Sequence, residues 1–213
     1  MAVLEIYWSF RSPYSYLAID RLIAIARDYE IEIDFRPVRP LALREPDFFE
    51  RGRSQFLPYL FQDVPREAER LAIAFAMPQP DPVAMDMASL KIAPEQPIMN
   101  KIMGLAIAAT KAGYGLEFAQ AVGRSIWGGK ADWHKDETLA ATLAAKGLAL
   151  EPLARWVASS AVTIRDVIAA NEAAQLKHHW GVPLMVLDGE PFFGQDRLDS
   201  LVWRLDQRGL KRD

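Results

Sequence analysis

The chain of 213 residues contains no cysteine. That excludes a disulfide framework, a thiolate zinc site and redox chemistry on a thiol of the protein's own. Any thiol chemistry must therefore use a thiol that arrives with a ligand. Histidine is almost as scarce: His134, His178 and His179 are the whole supply. None is spaced with carboxylates in a His-Glu-x-x-His or similar pattern, so no metal is expected. There is no Gly-rich phosphate loop, no Gly-x-Ser-x-Gly elbow and no internal repeat. No apolar run reaches the ~18 residues that a membrane span needs. The opening Met1-Ala2-Val3-Leu4-Glu5-Ile6 lacks the basic start of a secretory signal. A net charge of -3 carries no basic stripe for nucleic acid. The expectation is a soluble, cytoplasmic protein that acts on a small molecule, with neither membrane nor nucleic acid as partner.

What is present is a chain of 51% hydrophobic residues, enough for a sizeable core. Val3 to Trp8 is a short apolar run suited to a buried strand. Ser12-Pro13 then reads as a helix start, serine as N-cap and proline at the first helical position. Tyr16, Ile19, Leu22, Ile23 and Ala26 follow on one helical face. In residues 30–35, Ile31, Ile33 and Phe35 alternate with Glu30, Glu32 and Asp34, the pattern of a half-buried strand. Strand, helix and strand at this spacing predict a βαβ unit with a parallel pair.

From about residue 64 to 179 the chain reads as helix, punctuated by proline and glycine. Pro78, Pro80 and Pro82 mark a loop, and Pro94 and Pro97 open a helix carrying Ile98, Ile102, Leu105 and Ala109. Gly113 and Gly115 close it, and further helices are expected over 116–127, 135–146, 150–158 and 161–178. Sheet returns at the end. Pro183 to Leu187 reads as a strand, Asp188-Gly189 as a hairpin turn and Glu190 to Phe193 as its return. Pro191 cannot donate to a ladder, which puts the return strand at an edge. Leu198, Leu201, Val202 and Leu205 predict a last helix from Gln195 to Gln207. The expected fold is α/β, a thioredoxin-like domain (βαβ…ββα) with an all-helical insertion. Residues 1–63 and 180–213 form the former, residues 64–179 the latter.

Three segments sit where a thioredoxin plan keeps its active features. Ser12-Pro13-Tyr14-Ser15 follows the first strand, Gly181-Val182-Pro183 precedes the third, and Phe193-Gly194-Gln195-Asp196-Arg197 opens the last helix. Together they resemble the 2-hydroxychromene-2-carboxylate isomerase family, relatives of the kappa-class glutathione transferases. The resemblance implies a glutathione-dependent isomerase working as a homodimer, with Ser12 against the glutathione sulfur. It implies a cis peptide at Pro183, with the backbone of Val182 holding the tripeptide as an added strand. Gln195 and Asp196 would take the γ-glutamyl end. For an anionic substrate it leaves Arg11, Arg51 and Arg53 as candidate cations, while Trp127 reads either as helix-end packing or as an aromatic wall of a substrate pocket. Physical chemistry supports such a site. A free thiol has a pKa of about 8.5, and a helix N-terminus lowers it.

Each feature also has a plain structural reading. Ser12-Pro13 can be only a cap, Pro183 only a strand-start proline, and Asp196 only a favourable charge near a helix start. Trp133 reads as helix-end packing, and His178 and His179 as cations near a helix end. The family usually carries an asparagine and a lysine after the second strand. Here the first lysine is Lys91 and the first asparagine Asn100. A kappa-like transferase or peroxidase, or a redox-inactive binding protein on the same fold, therefore stand as alternatives.

Overall fold

The structure, a computed structural model, describes residues 1–48, 55–86, 88–89 and 91–212. The opening apolar run forms β1 (Ala2–Trp8) and the alternating segment forms β2 (Ile31–Pro37). The two pair in parallel from Ala2↔Ile31 to Trp8↔Pro37. A parallel pair needs a long crossover, and α1 (Pro13–Asp28) supplies it. This helix buries Tyr16, Leu17, Ile19, Leu22 and Ile25, while Ile23 pack against the same core from its margin.

The C-terminal strands complete the sheet, in the order β2-β1-β3-β4. β3 (Leu184–Leu187) is buried along its whole length and runs antiparallel to β1, with Tyr7 opposite Leu184. β4 (Glu190–Phe193) lies at the edge, where Pro191 costs no ladder bond. Asp188 and Gly189 both have positive φ, 47° and 90°, as a two-residue turn with mirror-image geometry requires. The sequence pattern starts the last helix at Gln195. The structure instead makes Gln195–Arg197 a 3₁₀ turn after Gly194, whose φ of 101° redirects the chain. The last α-helix begins only at Leu198.

Between the sheet halves lie a single turn, α2 (Leu41–Arg44), and then α3 (Phe56–Arg70), α4 (Pro97–Lys111) and α5 (Gly115–Trp127). α6 (Asp136–Ala144), α7 (Leu150–Ala158) and α8 (Ala161–Gln175) follow. The final helix is α9 (Leu198–Gln207). Helical structure thus begins well before residue 64, and the seam expected after residue 63 lies inside α3. Pro58 does not prevent the earlier start, because in a first turn its missing N–H has no partner to lose. α4 starts at Pro97, not Pro94. Gly115 opens α5 instead of closing α4. A Cβ there would stand 2.8 Å from the Phe35 ring and 2.5 Å from the Thr110 hydroxyl, so the close approach needs glycine.

One hydrophobic cluster runs through both parts of the chain. It joins Leu4, Ile6, Leu22 and Leu201 of the sheet layers to Ile102, Phe118, Leu139 and Leu153 of the helical block. Two indoles tie the block down by hydrogen bonds. Trp127 donates to the Phe10 carbonyl at 3.0 Å, and Trp133 to the Pro80 carbonyl at 3.0 Å. The first of these fixes the loop that leads into Ser12. Among the described residues no helix is long and apolar enough to cross a membrane.

Candidate functional site

Ser12 caps α1. Its backbone is extended (φ -98°, ψ 113°), and its Oγ accepts the Ser15 N–H at 3.1 Å. Its carbonyl takes the first helical bond, from the Tyr16 N–H. The hydroxyl proton points elsewhere, donating to the Val182 carbonyl across 3.5 Å. The bond between Val182 and Pro183 is cis. A second cis peptide, Gln79–Pro80, carries no mark in the sequence pattern. Pairing of β1 with β3 is what brings the helix start and the cis-proline loop together.

Beside Ser12 opens a cavity of about 290 Å³. Ser9, Ser12, Tyr14 and Val182 stand at one end, and Leu57, Leu60 and Val64 of α3 form an apolar wall. Phe75 and Trp127, stacked at 5.9 Å, line the interior. Phe61, Trp180 and Phe193 also line the cavity, yet are 50%, 42% and 40% exposed, so the mouth is ringed with accessible aromatic surface. Phe48 meets Trp180 at 5.2 Å between ring centres. His179 stacks on Phe193 at 3.8 Å, and its Nδ1 accepts the Gly181 N–H at 2.9 Å. A Cβ on Gly181 would run into the Phe193 ring, so the close stack needs glycine there.

The polar groups fall into distinct states. Tyr14 donates to Asp63 at 2.7 Å; burial first, and then this carboxylate, push its phenol well above the ordinary value. Tyr14 is thus a neutral donor with its proton already placed. The Ser9 hydroxyl is buried without a hydrogen-bond partner. Arg11 lines the cavity, but Asp81 grips its guanidinium in a fork, Nε at 2.7 Å and Nη2 at 2.9 Å. Arg44 also lines the cavity and makes its hydrogen bonds to neutral oxygens: the Arg39 carbonyl at 3.0 Å, the Gln175 amide at 3.0 Å and the Trp180 carbonyl at 3.1 Å.

Of the residues singled out from sequence, Ser12, Val182, Arg11 and Trp127 share this one cavity. Pro183 stands directly behind it in the chain. Gln195 is buried with both ends of its amide engaged: it accepts from the Arg21 guanidinium and donates to Glu67 at 2.9 Å. Asp196 is largely exposed and pairs with Arg197 at 3.2 Å. Neither Gln195 nor Asp196 is among the residues that line the cavity. Arg51 and Arg53 lie outside the described residues. Among the described residues no cluster of His, Asp and Glu could hold a metal ion. Sequence reasoning missed Arg44, Ser9 and the aromatic mouth. Arg44 sits on a single helical turn that shows no periodicity, and the aromatics converge from separate segments.

A helix start facing a cis-proline loop across a four-stranded sheet, with helices between the sheet halves, defines a thioredoxin-like protein, here with serines in place of thiols. The chain belongs to the DSBA-like thioredoxin domain family, which it matches over residues 3–206. It is 26% identical over 199 residues to the 2-hydroxychromene-2-carboxylate isomerase of Sphingobium xenophagum, spanning 93% of this chain and 95% of that one. A solved 2-hydroxychromene-2-carboxylate isomerase is similar with a TM-score of 0.69 at 24% identity, over 97% of each chain. The cytosolic disulfide reductase DsbM of Pseudomonas aeruginosa, solved with GSH, is similar with a TM-score of 0.61 at 16% identity, over 96% of this chain and 99% of that one.

Proposed function

We propose that the protein is a glutathione-dependent isomerase of the 2-hydroxychromene-2-carboxylate isomerase type, acting on an aromatic, pyruvate-like intermediate. The observation that carries this reading is the Ser12 hydroxyl. It stands at the start of a 16-residue helix, beside a cis-proline loop and an apolar cavity, in a chain without cysteine. The donor set fits a thiolate: a hydroxyl that can turn away from a long bond, and a helix start that favours negative charge. Among the described residues the Val182 backbone N–H has no backbone hydrogen-bond acceptor, which suits it to pairing with an added strand of peptide.

Bound here, glutathione would supply a nucleophilic thiolate that adds reversibly to the substrate's conjugated double bond, allowing rotation before elimination returns it unchanged. Ser12 donates its hydroxyl proton toward the sulfur position and so holds the thiol in its anionic form. Val182 orients the tripeptide through its backbone. In this reading Asp196, exposed at the 3₁₀ turn and paired with Arg197, would accept from the γ-glutamyl ammonium in a charge-assisted bond. Tyr14 and Trp127 shape the pocket, and α3 excludes water from the reacting carbons. With this reading go a homodimer and a cytoplasmic location, where glutathione is kept reduced. The relative named as this isomerase and the fold relative solved with GSH support it.

With no lysine before Lys91 the second substrate is the open part of this reading, and a kappa-like transferase stands beside it. It would use the same thiolate but leave the sulfur on an electrophile. Titration calorimetry tests the shared part: heat of binding with millimolar glutathione is expected, and its absence from folded protein sinks both readings. A glutathione-dependent absorbance change with hydroxychromene carboxylate, set beside a standard electrophile, separates them.

A further inference from the structure

Two cations line the cavity among the described residues, and they are in opposite electrostatic states. Arg11 is neutralised by Asp81 in a two-point ion pair. Arg44 has no carboxylate within ion-pair distance among the described residues. Its three hydrogen bonds go to two backbone carbonyls and an amide oxygen. Glu172, the nearby acid on α8, is spent on Arg39, with both carboxylate oxygens engaged. Arg44 is also partly desolvated, and burial pulls its pKa below the ordinary arginine value despite the longer-range attraction of Glu172 and Glu45. A guanidinium nevertheless stays charged at neutral pH. A desolvated charge with no carboxylate in direct contact is costly, and an anion arriving at the guanidinium would relieve that cost.

Geometry says what kind of anion. Three of the five guanidinium N–H groups are committed, leaving one on each terminal nitrogen. The committed ones hold the head still. Gln175 reinforces this by donating to the Trp180 and Gly181 carbonyls at 3.1 and 2.7 Å. The carbonyl that Arg44 holds, Trp180, is two residues from Val182, whose carbonyl meets Ser12. At no more than roughly 3.3–3.6 Å per residue, that segment spans at most about 7 Å. The rings of Phe48, Trp180 and Phe193, in contact with one another, line the same cavity. We propose that Arg44 is the specificity-determining residue of the second-substrate pocket: it receives a carboxylate whose flat, conjugated body lies along the aromatic mouth toward Ser12. This rests on the isomerase reading only for the reaction; the binding claim stands by itself.

Calorimetry without glutathione tests it, with trans-cinnamate and its neutral counterpart trans-cinnamamide as probes. Wild type should bind the acid on the order of tenfold tighter than the amide, the worth of one charge-assisted bond. The preference should shrink as salt rises. R44Q should erase the preference, leaving amide binding and the separate glutathione titration unchanged, and R44K should keep part of it. Equal affinity of wild type for acid and amide, or no binding of either, overturns the proposal. So does an R44Q protein that still prefers the acid. Should R44Q not fold, the wild-type comparison and its salt dependence decide alone. A lost glutathione titration with the acid preference intact would overturn the isomerase reading and leave Arg44's role standing.

Discussion

The two ends of the cavity are built in different ways. At the Ser12 end, local backbone geometry does most of the work: a helix start with its cap and a cis peptide, each set by its own short segment and joined by the pairing of β1 with β3. At the Arg44 end, side chains from α2, the loop before β3 and the edge strand converge, and their states depend on neighbours far along the chain. Gln175, which holds Arg44, is 131 residues away from it. The first kind of site presents the same donors whatever its surroundings. The second can change its ligand through a single contact, as the contrast of Arg11 with Arg44 shows.

The bluntest way to break this contrast is to cut the tie between the helical block and the Ser12 loop. Trp127→Ala removes a buried indole and its bond to Phe10. Unfolding in urea should show a loss of about 3–5 kcal/mol, and both ends of the cavity should fail together. Ser12→Ala should separate them. Loss of a donor to a developing or stored anion costs on the order of 100-fold in rate, while loss of the cap costs only about 1 kcal/mol in stability. Steady-state assay beside thermal melting checks both, and an unchanged rate would leave Ser12 a cap alone. Asp81→Asn should weaken the fold by about 1–2 kcal/mol, between the values for exposed and buried pairs. Unfolding in urea checks this.

The smallest effect concerns His179. Burial holds its pKa below the ordinary 6.5. The unfolded chain therefore takes up a proton at a pH where the folded one does not, and stability rises with pH across that window. This contribution is complete above about pH 6.5 and is lost as pH falls through the lower, folded value. Protonation would also remove the acceptor for the Gly181 N–H. Melting curves at pH 7.5 and 5.5 should show a loss for wild type that His179→Gln reduces.

Much of the frame is legible without coordinates. The strict alternation from Glu30 to Phe35 and the Asp188-Gly189 turn report backbone geometry through local patterns, and both hold in the structure. The Pro191 edge follows from one missing N–H. The start of α3 carries no such mark, since Gln55 at its N-cap makes no side-chain capping bond. Gln195 illustrates the reverse. Its place beside a helix start is visible in sequence, but its engagement by Arg21, 174 residues away, is not.

By itself, then, the sequence determined the order of strands and helices, the cap at Ser12, and the rule that any reactive thiol must be borrowed. These follow from local backbone preferences and from composition. The tertiary structure alone decided which arginine is neutralised and which keeps its charge for a ligand. It alone gathered Phe48, Trp180 and Phe193 into one mouth. Burial and ion pairing are set by neighbours in space, and no local pattern in the chain encodes them.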